Sequence, residues 1–193
     1  MADTQVIIEV KRLAESLGQL PEPVLEPAFI VVSGLPGTGK THFCNKLAER
    51  LPFTILESDA LRKTLFPAPT YTAQESAHLF QAIHHLIISL LNKGISLILD
   101  ATNLSEYYRE RLYNIAERLN AKLVLVRVEA PPQVVYERLK AREKSSTGNS
   151  DADWTVYQKM KPAVQKINRK HYAVDTSRDI TPVLDKIVRE VNR

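Results

Sequence analysis

The chain has almost no cysteine and no long apolar segment. Cys44 is the only cysteine among 193 residues, so an intrachain disulfide is impossible and a cysteine-built metal site is excluded. No segment approaches the roughly 18 consecutive apolar residues that a membrane-spanning helix requires. The first 20 residues mix charged with apolar side chains, unlike a secretory signal peptide. These absences predict a protein of the reducing cytoplasm that does not act in a membrane.

The excess of positive charge is also small. The chain has 26 Lys and Arg against 22 Asp and Glu, a formal net charge of +4. A surplus of this size suits an anionic small ligand as well as a nucleic acid and does not choose between them. With 44% hydrophobic and 25% charged residues, the composition is that of a globular protein with one domain of ordinary size.

Short apolar runs alternate with helical patterns along most of the chain. Runs of this kind predict strands that are buried on both faces, and they occupy residues 28–33, 53–57, 95–100, 122–128 and 172–175. Because helical segments separate the runs, the strands should form a parallel sheet covered by helices. We therefore predict a three-layer α/β fold with a five-stranded parallel sheet. Its functional residues should lie where the strands end at their carboxyl side.

The N-terminal residues have a different pattern. Apolar residues recur at helical spacing over residues 4–17, which predicts an amphipathic helix. Three prolines in residues 21–27 cannot continue this helix, because each removes a backbone donor and fixes its own φ. We predict an appended helix and connector over residues 1–27 and a main domain over residues 28–193.

The stretch GLPGTGKT directly follows the first apolar run and matches the pattern G-x-x-x-x-G-K-[ST]. Glycines allow consecutive backbone N–H groups to turn toward phosphate oxygens, and the following helix directs its positive N-terminus at them. Lys40 is expected to reach the β- and γ-phosphates of a nucleotide, and the Thr41 hydroxyl to bind Mg²⁺. The stretch predicts a phosphate-binding loop formed by Gly34, Leu35, Pro36, Gly37, Thr38, Gly39, Lys40 and Thr41.

Two elements used by other phosphate-loop proteins are missing. The sequence has no Asn/Thr-Lys-x-Asp tetrapeptide to read guanine, which argues against a GTPase. Asp100 at the end of the third run is followed by Ala101, so the Glu with which a motor ATPase polarises water is missing there. A kinase instead excludes water and activates an acceptor hydroxyl. Asp59, with Arg62 three residues later, is the candidate base, although Ser58 or Asp59 could simply cap the next helix.

Two further groups of residues have alternative interpretations. Arg138 and Arg142 lie four residues apart on a predicted helix that precedes the polar stretch 145–153. Basic residues on a helix usually form a solvated surface, but these two could also contact a nucleotide. Tyr71 and His78 could line an acceptor pocket, but ordinary packing is the better explanation of both residues.

Four segments in order, GLPGTGKT, SDALR, LILDATNLSEYYRERL and RVEAPPQVVYERLKAR, carry a family resemblance. Over about residues 28–175 the chain resembles the kinase domain of 5′-polynucleotide kinases and the related zeta-toxin-like and chloramphenicol phosphotransferase-like kinases. The resemblance implies a P-loop kinase-type fold in which Lys40 and Thr41 hold ATP and Mg²⁺. It makes Asp59 the general base and places Arg62 on the acceptor or the transferring phosphate.

The same resemblance assigns roles to the third strand and to a lid. It makes Asp100 a carboxylate that holds Mg²⁺, with water between them, and it places Thr102 and Asn103 beside it. The alternative is that Thr102 or Asn103 only shapes the following turn. A lid over about residues 138–153 would close on ATP, with its two arginines stabilising charge on the transferring phosphoryl group.

The sequence therefore predicts an ATP- and Mg²⁺-dependent phosphotransferase that acts on a hydroxyl group. The acceptor is either the 5′-hydroxyl of a polynucleotide or a small molecule such as a sugar, nucleoside or antibiotic. Two alternatives are a non-catalytic ATP sensor or switch and a P-loop ATPase.

Overall fold

The structure is a computed structural model that describes residues 2–145 and 148–193. Its strands are β1 Ala28–Ser33, β2 Thr54–Glu57, β3 Leu97–Asp100, β4 Lys122–Glu129 and β5 Tyr172–Asp175. They form one parallel sheet in the order β2-β3-β1-β4-β5. The predicted α/β fold is confirmed. The bounds of β1 and β5 match the prediction, and the other strands differ from it by one or two residues at one end.

Helices precede and follow the strands. They are α1 Ala2–Ser16, α2 Lys40–Ala48, α3 Ser58–Leu65, α4 Ala73–Asn92, α5 Glu106–Arg118, α6 Pro132–Ser145, α7 Trp154–Met160 and α8 Thr181–Val191, with a 3₁₀ turn at Lys161–Ala163. The short helix α7 and the 3₁₀ turn were not predicted. Among the described helices, none is long and apolar enough to cross a membrane.

Both faces of the sheet are buried, as the uninterrupted apolar runs predict. Alternate residues of a strand point to opposite faces, so Phe29 and Val31 pack into one hydrophobic cluster and Ile30 and Val32 into another. The first cluster contains residues of α1, α3, α4 and α5, and the second contains residues of α2 and α8. The sheet is therefore the middle of three layers.

The N-terminal helix is packed onto the main domain. Leu13 of α1 is fully buried in the first hydrophobic cluster, and α1 contacts α3 and α4. Glu9 adds a polar contact, with its Oε2 atom 2.8 Å from Nε2 of His78 on α4. The predicted appended helix is thus present, while the division of the chain at residue 27 stays a prediction.

Candidate active site

A cavity of 760 Å³ opens at the carboxyl edge of the sheet. The loops after β1, β2 and β3 all contribute to its wall, because the carboxyl ends of parallel strands meet at one edge. The structure thereby brings together most of the predicted site residues: Pro36, Gly37, Gly39, Lys40, Thr41, Asp59, Arg62, Asp100, Arg138 and Arg142. The other three predicted loop residues, Gly34, Leu35 and Thr38, do not line the cavity.

The loop conformation requires glycine at particular positions. Gly39 has a φ of 92°, a left-handed conformation that other residues rarely adopt. At Gly34, a Cβ atom would lie 2.4 Å from the carbonyl oxygen of Val128 on the neighbouring strand β4. Gly39 is needed for its left-handed backbone conformation, and Gly34 is needed because the loop passes so close to β4.

The loop presents backbone donors to the cavity. Thr38 Oγ1 donates to Leu35 O at 2.7 Å, and Gly34 N donates to Thr102 O at 3.0 Å. These two hydrogen bonds hold the start of the loop in place. Within the described ranges, the N–H groups of Gly37, Gly39, Lys40 and Thr41 donate to no protein acceptor. Backbone donors clustered before a helix N-terminus are the usual phosphate-binding arrangement.

Lys40, Thr41 and Asp100 form the charged centre of the cavity. Thr41 Oγ1 donates to Asp100 Oδ2 at 2.6 Å, and Lys40 Nζ donates to Leu35 O at 3.0 Å across the loop. Burial lowers the pKa of Lys40 from its usual value, while the carboxylates of Asp100 and Asp59 oppose that shift. Burial raises the pKa of Asp100, and Lys40 and Thr41 oppose the change. This centre holds a cation beside a hydroxyl–carboxylate pair.

Asp59 lies in the first turn of α3 and lines the cavity. The residue at the N-cap is Glu57, and no side chain caps this helix with a hydrogen bond. In the described part of the chain, the Asp59 carboxylate takes no hydrogen bond and no ion pair. The capping interpretation of Ser58 or Asp59 thus receives no support from the structure. Asp59 is a carboxylate held at the cavity wall.

Arg62 is held by α4. Its Nη1 atom lies 2.5 Å from Glu75 Oε1, its Nη2 donates to Ser76 Oγ at 3.1 Å, and its Cζ lies 4.9 Å from the centre of the Tyr71 ring. Although burial raises the pKa of Glu75, hydrogen bonds from Thr70, Arg62 and the Tyr71 N–H lower it to about 2. The pair is therefore charged at any ordinary pH.

The same contacts explain the start of α4. Thr72 is the N-cap and accepts from Glu75 N at 3.2 Å, which is half of a capping box. The Glu75 carboxylate accepts from Thr70 and Tyr71 instead of returning to Thr72 N. Glu75 is thereby available to Arg62, a contact that no local sequence pattern indicates.

Arg138 of α6 contacts the phosphate loop. Its Nη1 donates to Thr176 Oγ1 at 2.7 Å and lies 3.5 Å from Gly37 O, and Thr176 Oγ1 donates to Thr38 O at 2.5 Å. Thr176 follows β5, in the DTSRD stretch. Arg138 thus connects α6, the phosphate loop and the last strand.

Residues 149–152 contact the side of the cavity that β2 and α3 form. Arg142 donates to the backbone carbonyl of Ala152, and Asn149 Nδ2 lies 3.1 Å from both carboxylate oxygens of Glu57. Asp151 contacts Lys63 Nζ at 3.2 Å and accepts a hydrogen bond from the Tyr71 hydroxyl. The lid over residues 138–153 stays a prediction. Two of its residues, 146 and 147, lie outside the described ranges.

Asn103 shapes the turn after β3. It has a φ of 46°, it is 8% exposed, and its Nδ2 donates to Val32 O at 2.8 Å. Thr102 lines the cavity, and its carbonyl oxygen accepts from Gly34 N. The turn-shaping alternative therefore describes Asn103, whereas Thr102 also reaches the cavity.

Arg109 fixes this turn from α5 and was missed at the sequence level. It is 1% exposed, and it donates to the carbonyl oxygens of Asn103, Gln165 and Lys166 at 2.6, 3.0 and 2.8 Å. Its Nη2 lies 2.6 Å from Glu106 Oε2. The sequence does not indicate that Arg109 is buried, because arginine side chains are usually exposed.

We predict that Arg109→Ala lowers the free energy of unfolding by about 3 kcal/mol, because it removes one partner of a largely buried ion pair and several buried hydrogen bonds. Equilibrium denaturation in urea measures this change. The matched control is Arg111→Ala on the same helix, where the exposed side chain should contribute less than about 0.5 kcal/mol. Equal midpoints for the two variants would contradict the prediction.

Fold and site together define a class. A parallel α/β sheet with a glycine-rich phosphate loop after its central strand is the fold of the small P-loop kinases. The comparison with known families is more specific. The chain belongs to the AAA domain family, whose model matches residues 29–167.

A curated relative shares part of this region. The chain is 28% identical over 115 residues to the L-seryl-tRNA(Sec) kinase of Methanococcus maripaludis. The match includes 57% of this chain and 44% of the relative, so the chain spans less than half of that protein.

Solved structures share the fold at low sequence identity. Kti12 of Chaetomium thermophilum, in complex with ADP-AlF3, is 19% identical with a TM-score of 0.68, covering 84% of this chain and 98% of that one. The Mycobacterium tuberculosis APS kinase CysC, in complex with AMPPNP and APS, is 16% identical with a TM-score of 0.64, covering 87% and 99%. These likenesses support the fold alone.

Proposed function

We propose that this protein transfers the γ-phosphate of ATP to a hydroxyl group of an acceptor. The observation that carries the proposal is the position of Asp59, a carboxylate without a hydrogen-bond partner in the described ranges, in the same cavity as Lys40 and the phosphate loop. A site built only to hold ATP has no need of such a carboxylate. A kinase uses it as a general base.

The proposed reaction uses each side of the cavity. The loop amides and Lys40 bind the β- and γ-phosphates. Asp59 takes the proton of the acceptor hydroxyl, and that oxygen forms a bond to the γ-phosphorus. The bond between this phosphorus and the β–γ bridging oxygen breaks, and ADP leaves with the electron pair. Arg142 and Arg138 offset negative charge that develops during transfer.

The donor set at Thr41 and Asp100 fits Mg²⁺. A hydroxyl and a carboxylate lie 2.6 Å apart beside the phosphate loop, and oxygen donors are what Mg²⁺ prefers. When bound there, Mg²⁺ would neutralise charge on the β- and γ-phosphates. These two residues are the ones we propose to hold it, Asp100 with water between it and the ion.

Arg62 is proposed to act on the acceptor side. The residue lines the cavity, and its ion pair with Glu75 fixes the position of its guanidinium. Part of its charge is offset by Glu75, so Arg62 acts mainly as an oriented group near Asp59.

The proposal is tested by the transfer of labelled γ-phosphate from ATP to four acceptor classes: oligonucleotides with a 5′-hydroxyl, nucleosides, sugars and antibiotics. We expect label in one class and none when Mg²⁺ is omitted. Tight ATP binding without label in any class would support the sensor alternative. Phosphate release to water at the same rate with or without acceptor would support the ATPase alternative.

A further inference from the structure

Two neighbouring tyrosines on α5 are exposed to solvent. Tyr107 is 63% and Tyr108 is 57% exposed, whereas Tyr113 on the same helix is fully buried in the core. The two rings meet edge to face, with centroids 5.4 Å apart. The fold does not need these rings for its core, and their apolar faces remain in contact with water.

Arg111 lies over both rings. Its Cζ atom is 4.9 Å from the centroid of Tyr107 and 5.9 Å from that of Tyr108, and its Nη2 donates to the Tyr107 hydroxyl at 2.8 Å. The acidic residues of α5 are paired elsewhere, in the ion pairs Glu106–Arg109, Glu110–Arg169 and Glu117–Arg169. Arg111 has no ion pair within the described part of the chain, so its charge is available to a ligand.

The cluster lies on the helix that follows the cavity wall. Thr102 lines the cavity, and α5 begins four residues later, at Glu106. Both tyrosines are in the first turn of α5, and Arg111 follows about one turn later. The start of α5 thus connects the cavity wall at Thr102 to the two tyrosines.

We propose that Tyr107, Tyr108 and Arg111 form a stacking surface that binds the unpaired bases of a single-stranded nucleic acid. Aromatic rings stack on bases of any sequence, and an arginine beside them supplies cation–π contact and attraction to phosphate. A duplex hides the faces of its bases and would not use this surface. Single-stranded RNA and DNA share the required chemistry.

The inference deepens the proposed function. If the strand end enters the cavity near Asp59, the following nucleotides can leave the cavity past Thr102 and extend to the stacking surface at the start of α5. This direction of the strand rests on the proposed function, because it requires the acceptor hydroxyl to reach the phosphate loop. Binding to the surface does not depend on phosphoryl transfer.

Fluorescence anisotropy tests the binding. The probes are 12-nucleotide RNA and DNA strands with a 5′-hydroxyl and a 3′ fluorophore, with a hairpin duplex of the same fluorophore for comparison. We expect one or both single strands to bind the wild-type protein at low salt, and the duplex to bind more weakly. No binding of either strand would overturn the inference.

Three variants identify the surface. Tyr107→Ala with Tyr108→Ala should weaken strand binding about tenfold or more, and the corresponding double Phe variant should keep most of it, because a phenyl ring still stacks. Arg111→Ala should make binding less sensitive to salt. The slope of the logarithm of the binding constant against the logarithm of the salt concentration should become shallower by about 0.7. The control is Arg189→Ala on α8, on the opposite face of the sheet, with no expected change.

The outcomes separate this inference from the proposed function. Wild-type binding by the double Ala variant would overturn the stacking surface, as would equal losses in the double Ala and double Phe variants. If strands bind through the surface but no acceptor receives phosphate, the stacking surface stands and the proposed function fails. If a small alcohol is phosphorylated and no strand binds, the proposed function stands and the stacking surface fails.

Discussion

Replacing Lys40 by alanine is expected to lower the rate of phosphoryl transfer about 10³-fold and to weaken ATP binding about 10- to 100-fold. Lys40 is the half-buried cation of the phosphate loop, its Nζ atom donates to Leu35 O, and the carboxylates of Asp100 and Asp59 favour its charged form. A cation that burial makes easier to deprotonate is strongly stabilised by a triphosphate. Its loss therefore affects both the bound nucleotide and the charge that develops during transfer.

The loss must be separated from unfolding. Lys46 lies on the same helix, is exposed, and pairs with Glu49 at 2.9 Å, so Lys46→Ala is the matched control with no expected effect on transfer. Lys40→Met keeps the apolar length of the side chain and should behave as Lys40→Ala does. ATP affinity by calorimetry and transfer by labelled phosphate are the two measurements. If both Lys40 variants bind ATP and transfer phosphate like the wild type, the phosphate site lies elsewhere.

Local sequence patterns were sufficient for most of the fold. The apolar runs at β1 and β5 coincide with the strands because each run is bounded by residues that end a strand. The third run begins at Ile95, two residues before β3. Its Ser96 uses its side chain to accept from Ala28 N, at 3.0 Å, while its carbonyl accepts from Thr54 N. Such contacts place Ser96 at the end of the sheet, and periodicity alone cannot show them.

Helix α7 shows a different kind of failure. The helix has seven residues, and its one local signal is Asp153, whose side chain accepts from Val156 N at 2.9 Å. The polar residues before it favour a loop. Its stability comes from packing, because Trp154 stacks on Tyr157 and Tyr157 packs on Val135 of α6. Tertiary contacts of this kind determine a short helix more than propensity does.

The candidate site, like the fold, has parts that the sequence predicts and parts that it does not. The phosphate loop and Asp100 were predictable because consecutive residues at strand ends carry the pattern. The contact of Arg62 with Glu75 spans 13 residues and two helices, and that of Thr176 with Thr38 spans 138 residues. Two residues so far apart in the chain form no recognisable motif, so a single sequence cannot predict that they are in contact. The stacking surface was not predicted, because the sequence of α5 does not show that Tyr107 and Tyr108 are exposed beside Arg111.

Replacing Asp59 by asparagine is expected to lower the rate of phosphoryl transfer about 10²- to 10⁴-fold, while ATP binds with nearly wild-type affinity. The amide has the same size but cannot take the proton of the acceptor hydroxyl. ATP affinity should not fall, because the substitution removes a negative charge from a cavity that binds an anion. Labelled phosphate transfer at saturating ATP and calorimetric ATP affinity are the measurements.

Glu57 is the competing candidate for the base. It ends β2, lines the same cavity and is partly buried, and burial raises its pKa although hydrogen bonding to Asn149 opposes this shift. Because its carboxylate already accepts from Asn149, whereas Asp59 has no such partner in the described ranges, we expect Glu57→Gln to lower transfer less than Asp59→Asn does.

The pH dependence of kcat/KM distinguishes the two carboxylates. A general base must be ionised, so transfer by the wild type should decline as pH falls through the pKa of that base. Glu57→Gln should retain this decline, and Asp59→Asn should lose it together with most of its activity. The opposite pattern, with wild-type turnover in Asp59→Asn and loss of the decline in Glu57→Gln, would move the base to Glu57 and leave Asp59 as a wall residue.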